Sequence, residues 1–278
     1  MKEVVYLNGQ FLPREDARIS PDDRGYIFAD GVYEVVKYYN GKPFRYTDHF
    51  SRLKRSLKEV QINFEGLPGL EEVFKKLLEE NGLTADHAGV YVQVTRGINK
   101  RVHHFPSDLR PGVYAFSFEM PSYSENLRNG ISVITREDIR WLRCDIKSIS
   151  LLPNTMLYNQ AVEEGAGECI LIRNGNVTEA THSSVLAVKN GKVITHPLCN
   201  LILPGITRKV ILEICHKFNI EAEERPITEK EMYEVDELII AGTGSEITPV
   251  VKVNDKPIGN KKPGEVTRFL QNKFFELV

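Results

Sequence analysis

Glu168-Cys169-Ile170-Leu171-Ile172-Arg173-Asn174-Gly175-Asn176-Val177-Thr178-Glu179-Ala180 decides the fold class. The central Asn-Gly supplies the positive φ angles of a type I′ turn, and apolar, β-branched residues flank it, so the stretch reads as an antiparallel hairpin. With a two-residue turn at Asn174-Gly175, Arg173 pairs with Asn176, Ile172 with Val177 and Ile170 with Glu179. Alternate pairs share a face, so this register sets Glu179 among Ile170, Ile172 and Val177. A carboxylate on an apolar face wants a cationic partner. The alternative is that Glu179 sits at the hairpin base and reaches solvent.

The same punctuation recurs along the chain. Asn8-Gly9, Asn40-Gly41 and Asn190-Gly191 also lie between apolar, β-branched runs and mark hairpins, the last spanning Ser184–His196. Asn81-Gly82 instead follows a helical pattern and caps it. Phe50, Leu53, Leu57 and Val60 form one apolar stripe at helical spacing, and Leu70, Val73, Phe74, Leu77 and Leu78 form another. Strands are expected at residues 90–95, 113–118, 131–135 and 237–241, and helices at about 157–164 and after Pro204–Arg208, the latter bearing Val210, Ile211, Ile214 and Phe218. The polar stretch Pro121–Asn126 breaks the pattern. The reading is a mixed α/β (α+β) protein with antiparallel pairing. It has a small N-terminal α/β domain over 1–120, a linker at 121–126, and a larger, β-rich C-terminal α/β domain over 127–278.

Composition narrows the function classes. In 278 residues, hydrophobic residues make up 41% and charged residues 27%, an ordinary globular balance. A formal net charge of -2 with no basic run argues against nucleic acid as a partner. No apolar stretch is long enough to cross a bilayer, and the segment from Met1 to Gln10 lacks the apolar core of a signal peptide and reads as a first hairpin. Cys144, Cys169, Cys199 and Cys215 show no metal spacing and read as reduced core thiols of a cytoplasmic protein. The histidines show no HExxH pattern, so no metal is expected.

Lys147 is the second misplaced charge. Arg143–Leu152 reads as a short strand bounded by Pro153-Asn154, and alternation puts Lys147 on one face with Ile149 and Leu151. Such a lysine is either an edge residue snorkelling to water or a desolvated nucleophile with a lowered pKa. Two misplaced charges of opposite sign reinforce each other as a site. Gly205-Ile206-Thr207 opens a helix after a loop, and its free N–H groups suit a phosphate; Gly242-Thr243-Gly244-Ser245 ends an apolar strand and suits a nest of N–H groups. Each is equally an ordinary cap or turn. Arg101 and His103 project to the same side of an extended backbone, either as a carboxylate clamp or as a solvated loop. Arg52 lies off its helix's apolar stripe and reads locally as solvated. Tyr33 is either core or a hydroxyl aimed at a ligand.

Taken together, the chain resembles the fold-type IV aminotransferases that depend on pyridoxal 5′-phosphate, and among them the D-amino acid (D-alanine) aminotransferases. The carrying stretches are Asp23–Val36, Asp48-His49-Phe50-Ser51-Arg52-Leu53, Arg101-Val102-His103, Trp141–Leu152, Val177-Thr178-Glu179, Gly205-Ile206-Thr207-Arg208 and Asp236–Val250. The resemblance implies that Lys147 holds the cofactor covalently and shuttles the α-proton, and that Glu179 pairs with the pyridine nitrogen. It implies that Arg52, Ile206, Thr207 and Thr243 form the phosphate cup. Tyr33, Arg101 and His103 would hold the substrate α-carboxylate, the last two from a second subunit of a homodimer. The implied reaction is ping-pong transfer of an amino group from a D-amino acid to a 2-oxo acid such as 2-oxoglutarate or pyruvate.

The likeness is not complete. His182 and Ser184 stand where a serine and an asparagine are expected, and Gly242 and Gly244 flank Thr243 where hydroxyl residues are common. His182 either alters cofactor hydrogen bonding or is a tolerated neighbour of the site. The rival readings are a branched-chain L-amino acid aminotransferase, an aminodeoxychorismate lyase, an aminotransferase with (R)-amine side activity, and a plain ligand binder. The Arg101-Val102-His103 element favours the D-specific branch, and intact Lys147 and Glu179 favour an enzyme.

Overall fold

The structure is a computed structural model that describes residues 3–85 and 87–278. Met1 and Lys2, where the expected first hairpin and the 1–120 domain begin, and Asp86 lie outside the described residues. The chain divides into two compact units, Met1–Pro121 with Ile146–Leu151, and Ser122–Asp145 with Leu152–Val278.

The first unit is built on strands β1 (Val4–Leu7), β2 (Gln10–Pro13), β3 (Gly31–Tyr39), β4 (Lys42–Pro43), β5 (Ala88–Thr95) and β6 (Gly112–Glu119), with helices α1 (Arg24–Phe28), α2 (Tyr46–Glu59) and α3 (Leu70–Glu80). Among the described residues the sheet order is β2-β1-β6-β5-β3-β4, antiparallel throughout. Both residues of Asn8-Gly9 and of Asn40-Gly41 take positive φ, as a type I′ turn requires. The expected helical stripes are the buried faces of α2 and α3: Leu53, Leu57, Leu70, Phe74, Leu77 and Leu78 pack with Val32, Val36, Val90 and Val92 of the sheet. Each such side chain contributes on the order of 1.5–3 kcal/mol relative to exposure.

Ile146–Leu151 corrects the expected 127–278 boundary. This stretch is not a strand within the larger domain. It pairs with β3 of the first unit: Tyr33 N–H donates to the Lys147 carbonyl at 3.0 Å and Ile149 N–H to the Gly31 carbonyl at 3.1 Å. The pairing is a single isolated bridge, Val32 to Ser148, and Ile146 enters the first core. The partner strand lies more than 100 residues earlier, so nothing local signals it.

The second unit contains α4 (Ser124–Asn129), β7 (Ile131–Glu137), α5 (Leu152–Glu163), β8 (Glu168–Arg173), β9 (Asn176–Ala180), β10 (Ser184–Lys189), β11 (Lys192–Thr195), α6 (Ile206–Lys217), β12 (Ala222–Glu224), β13 (Ile227–Thr228), α7 (Glu229–Met232), β14 (Glu237–Gly242), β15 (Glu246–Val253), β16 (Lys256–Pro257) and α8 (Glu265–Phe275). The sheet runs β12-β11-β10-β14-β15-β7-β8-β9-β13, with β16 on β15. Parallel pairs β15/β7, β7/β8 and β11/β12 lie among antiparallel ones. Part of the expected linker, from Ser124, is helical and belongs to this unit.

The hairpin that opened the reading is present, with one correction. Arg173 faces Asn176 and Ile172 faces Val177, but Ile170 faces Ala180, not Glu179. A bulge between Ile170 and Ile172 shifts the register by one residue and re-aims the side chains beyond it.

Candidate functional site

Within the first unit, β3 and α2 build a buried charge cluster. Glu34 follows Val32 and precedes Val36 in the alternation of β3, so its carboxylate enters the core with them, and it is fully buried. Arg52 donates to it through Nε at 2.6 Å and Nη2 at 3.0 Å, and His49 Nδ1 lies 2.8 Å away. Burial alone would raise the Glu34 pKa, but Arg52 and His49 hold it well below the usual carboxylate range. Burial pushes the His49 imidazole down, against the pull of Glu34. Arg52 is therefore not solvated, as its helix position had suggested; Glu34 fixes the plane of its guanidinium.

Lys147 is half-buried beside this cluster. Its backbone N–H donates to Ser56 Oγ of α2 at 3.2 Å, and its ammonium lies 4.2 Å from the centre of the Tyr33 ring. No carboxylate pairs with that ammonium among the described residues. Tyr33 stacks on Tyr91 at 5.5 Å between ring centres. Arg101 and His103 lie on an exposed loop against the Phe28 ring, at 5.3 Å and 5.4 Å from its centre.

Within the second unit, Glu179 is buried and bonded to Arg140 Nη1 and, through Oε2, to the Leu203 N–H at 3.0 Å. Arg140 is divided: its Nε and Nη2 also hold Asp138 at 2.9 Å and 2.8 Å. Against the push of burial, Arg140 and Arg173 keep the Asp138 carboxyl at about 2. For Glu179 burial wins and its pKa is raised despite Arg140. Arg173 also bonds Asp138 at 3.0 Å, so among the described residues Arg140 is the guanidinium that Glu179 shares with an already paired carboxylate.

Gly205 caps α6 with no side-chain cap bond, and Ile206 and Thr207 are buried at its first turn. The first N–H groups of a helix have no intrahelical acceptor, so this end presents donors and a positive dipole to an anion. Thr207 is thus inside the helix and not its cap. A Cβ on Gly205 would lie 2.5 Å from Ser184 Oγ, so glycine there keeps room for that hydroxyl. Thr243 lies in the turn joining β14 to β15, where Ser183 Oγ and Ser245 Oγ are 2.9 Å apart. A Cβ on Gly242 would meet both hydroxyls within 3.1 Å, which accounts for glycine where a hydroxyl residue was expected. His182 turns Nδ1 to the fully buried Glu168 at 2.9 Å and its ring toward Tyr158.

The structure therefore brings Lys147 to Tyr33 and gathers the uncapped α6 end with the Ser184 hydroxyl. It leaves Arg101 and His103 on a separate loop. Sequence reasoning missed Glu34, His49 and Arg140. Glu34 carried a signal, a carboxylate in phase with Val32 and Val36; Arg140 carried none toward Glu179, which β9 brings to it from 39 residues away.

Residues 31–253 match the class IV amino-transferase family, and the chain belongs to that family. It is accordingly an aminotransferase whose cofactor is pyridoxal 5′-phosphate. It is 43% identical over 277 residues to a D-alanine aminotransferase of Staphylococcus haemolyticus, covering 98% of each chain. A D-alanine aminotransferase of Bacillus licheniformis is 40% identical, over 96% of this chain and 94% of that one. Among solved structures, a branched-chain amino acid aminotransferase of Escherichia coli superposes with a TM-score of 0.92 at 26% identity, covering 100% of this chain and 95% of that one.

Proposed function

We propose that this aminotransferase moves the amino group of D-amino acids, D-alanine and its close analogues, to 2-oxo acids such as 2-oxoglutarate and pyruvate in a ping-pong cycle. The observation that carries the reading is Glu179: a buried carboxylate only partly compensated by Arg140 suits a protonated pyridine nitrogen. When bound, the cofactor supplies an electron sink for the pair left at the substrate α-carbon.

The chain's own residues take the remaining roles. Lys147, with no carboxylate partner and its backbone tied to β3 and α2, makes the covalent tie to the cofactor and, once displaced by the amino donor, moves the α-proton. The buried first turn of α6 at Ile206 and Thr207, with Thr243 and Arg52, holds the phosphate. Tyr33, Arg101 and His103 hold the substrate carboxylate, the last two in the site of a second copy. A homodimer is supported by the apolar side chains that α5 leaves exposed, Leu152, Met156 and Val162. A cytoplasmic setting is supported by the four cysteines, all free. Among the described residues no helix is long and apolar enough to cross a membrane.

A panel of D- and L-amino acids with 2-oxoglutarate or pyruvate tests the reading. D-alanine is expected to turn over, and Lys147→Ala is expected to lose both turnover and the visible absorbance of the lysine-bound cofactor. The 40–43% identical relatives favour this reading over the branched-chain enzyme, which is the more distant likeness. Turnover of L-leucine or L-valine without D-alanine would replace the reading with the branched-chain one, and full turnover by Lys147→Ala would remove the assigned lysine.

A further inference from the structure

We propose that Arg24 is a positioning residue: its buried guanidinium, anchored on Asp30, holds the Val102 carbonyl and so presets Arg101 and His103 as a carboxylate-binding pair. The inference rests on the reading of Arg101 and His103 given above and assigns the elements that make that reading work.

Arg24 opens α1 and is only 2% exposed. Its Nε donates to Asp30 Oδ2 at 2.7 Å and its Nη1 to the Val102 carbonyl at 2.6 Å. Val102 is the residue between Arg101 and His103. Asp30 is held from the other side by Arg96, through Nε at 2.8 Å and Nη2 at 2.9 Å, and Arg96 also reaches the carbonyls of Val60 and Gln61 beyond the end of α2. The loop is anchored along its length as well: Arg24 N–H bonds the Gly97 carbonyl at 2.9 Å, Asn99 N–H bonds the Asp22 carbonyl at 3.2 Å, and the Arg96 guanidinium lies 3.5 Å from the Phe105 ring centre.

Phe28, on the same short helix, supplies the floor. Its ring lies 4.8 Å from the Arg24 guanidinium carbon, 5.3 Å from that of Arg101 and 5.4 Å from the His103 ring centre. Arg101 and His103 thus both lie against the Phe28 ring. Arg101 and His103 are exposed, and an exposed arginine normally samples many rotamers. Fixing the carbonyl between them and the ring beneath them lowers the ordering that binding must impose, which raises affinity without a new contact. Two buried guanidinium groups, those of Arg24 and Arg96, converge on the Asp30 carboxylate beneath the loop. Lysine cannot reproduce this clamp, because one ammonium lacks the planar fork that bonds Asp30 and Val102 together.

The test uses the cofactor-loaded enzyme and the variants Arg24→Lys, Phe28→Leu and Arg101→Ala. The readouts are KM and kcat for D-alanine, the inhibition constant of propionate as a carboxylate without an amino group, the cofactor absorbance and the melting temperature. Arg101→Ala is expected to raise KM and the propionate constant about tenfold. Arg24→Lys and Phe28→Leu are expected to raise both about fivefold while kcat stays within about twofold and the cofactor absorbance is unchanged. If Arg101→Ala moves neither constant, the carboxylate reading itself fails. If Arg101→Ala moves them and the other two do not, the positioning role of Arg24 is overturned and the reading stands. Should Arg24→Lys melt too early to assay, Asp30→Asn, which loosens the anchor of the Arg24 guanidinium without removing it, takes its place: raised constants support the positioning role and unchanged constants overturn it.

Discussion

Glu34 shows how far a single residue's position can be read. Its alternation with Val32 and Val36 put a carboxylate on the buried side of β3, the same kind of irregularity that drew notice to Lys147 and Glu179. Its partners, Arg52 and His49, lie on α2 and were invisible until that helix was laid against the strand. The folded-state pKa of Glu34 lies below the ordinary 4.5, so the ionised carboxylate stabilises the fold fully above that value and this stabilisation fades as pH falls toward the lowered pKa. Glu34→Gln is therefore expected to cost about 3–5 kcal/mol near neutral pH, because it removes one partner of a buried ion pair. Melting curves of both proteins across pH check this. The gap between them should narrow as the pH is taken below 4.5, and a gap that stays constant or widens on acidification would refute the account.

Among the elements, those that depend on neighbours in sequence were legible. The type I′ turns and the two helical stripes follow from residue types a few positions apart, and the structure has them where the spacing put them. The bulge in the β8–β9 hairpin was not legible. A one-residue slip is decided by what the far strand end bonds to, here the Thr181 N–H to the Cys169 carbonyl at 3.1 Å. Gly97, in the segment that leads to Arg101, gives this scale its prediction. It takes φ +106, and a Cβ there would sit 2.1 Å from the Arg110 carbonyl oxygen, a backbone atom that cannot rotate away. Gly97→Ala is expected to cost about 2 kcal/mol from the left-handed backbone alone, a fall of roughly 4–8 °C in melting temperature for a chain of this size. A shift below about 1 °C would refute the backbone cost, whether or not the Arg110 carbonyl yields.

For the whole molecule, the exposed apolar side chains of α5 are the feature a lone chain leaves unexplained. Single exposed leucines are normal, but α5 alone leaves Leu152, Met156 and Val162 exposed, and grouped exposed apolar side chains mark association surfaces. Wild-type protein is expected to elute at twice the mass of one chain in light-scattering chromatography. Met156→Asp with Val162→Asp should shift it toward the monomer and lower activity together, since the proposed carboxylate loop serves a second copy; a fully active monomer would refute that arrangement. The sequence by itself determined the fold class, the hairpins, and the two charges that do not belong on apolar faces, because these follow from periodicity and from the cost of burying an unpaired charge. Only the tertiary structure decided that Lys147 is held by β3 and α2, that Glu179 shares Arg140 with Asp138, and that Arg24 grips the loop of Arg101 and His103. Apart from Arg140 with its near neighbour Asp138, those pairings join residues far apart in the chain, and a hydrogen bond or ion pair has no energy until folding brings its partners within about 3 Å.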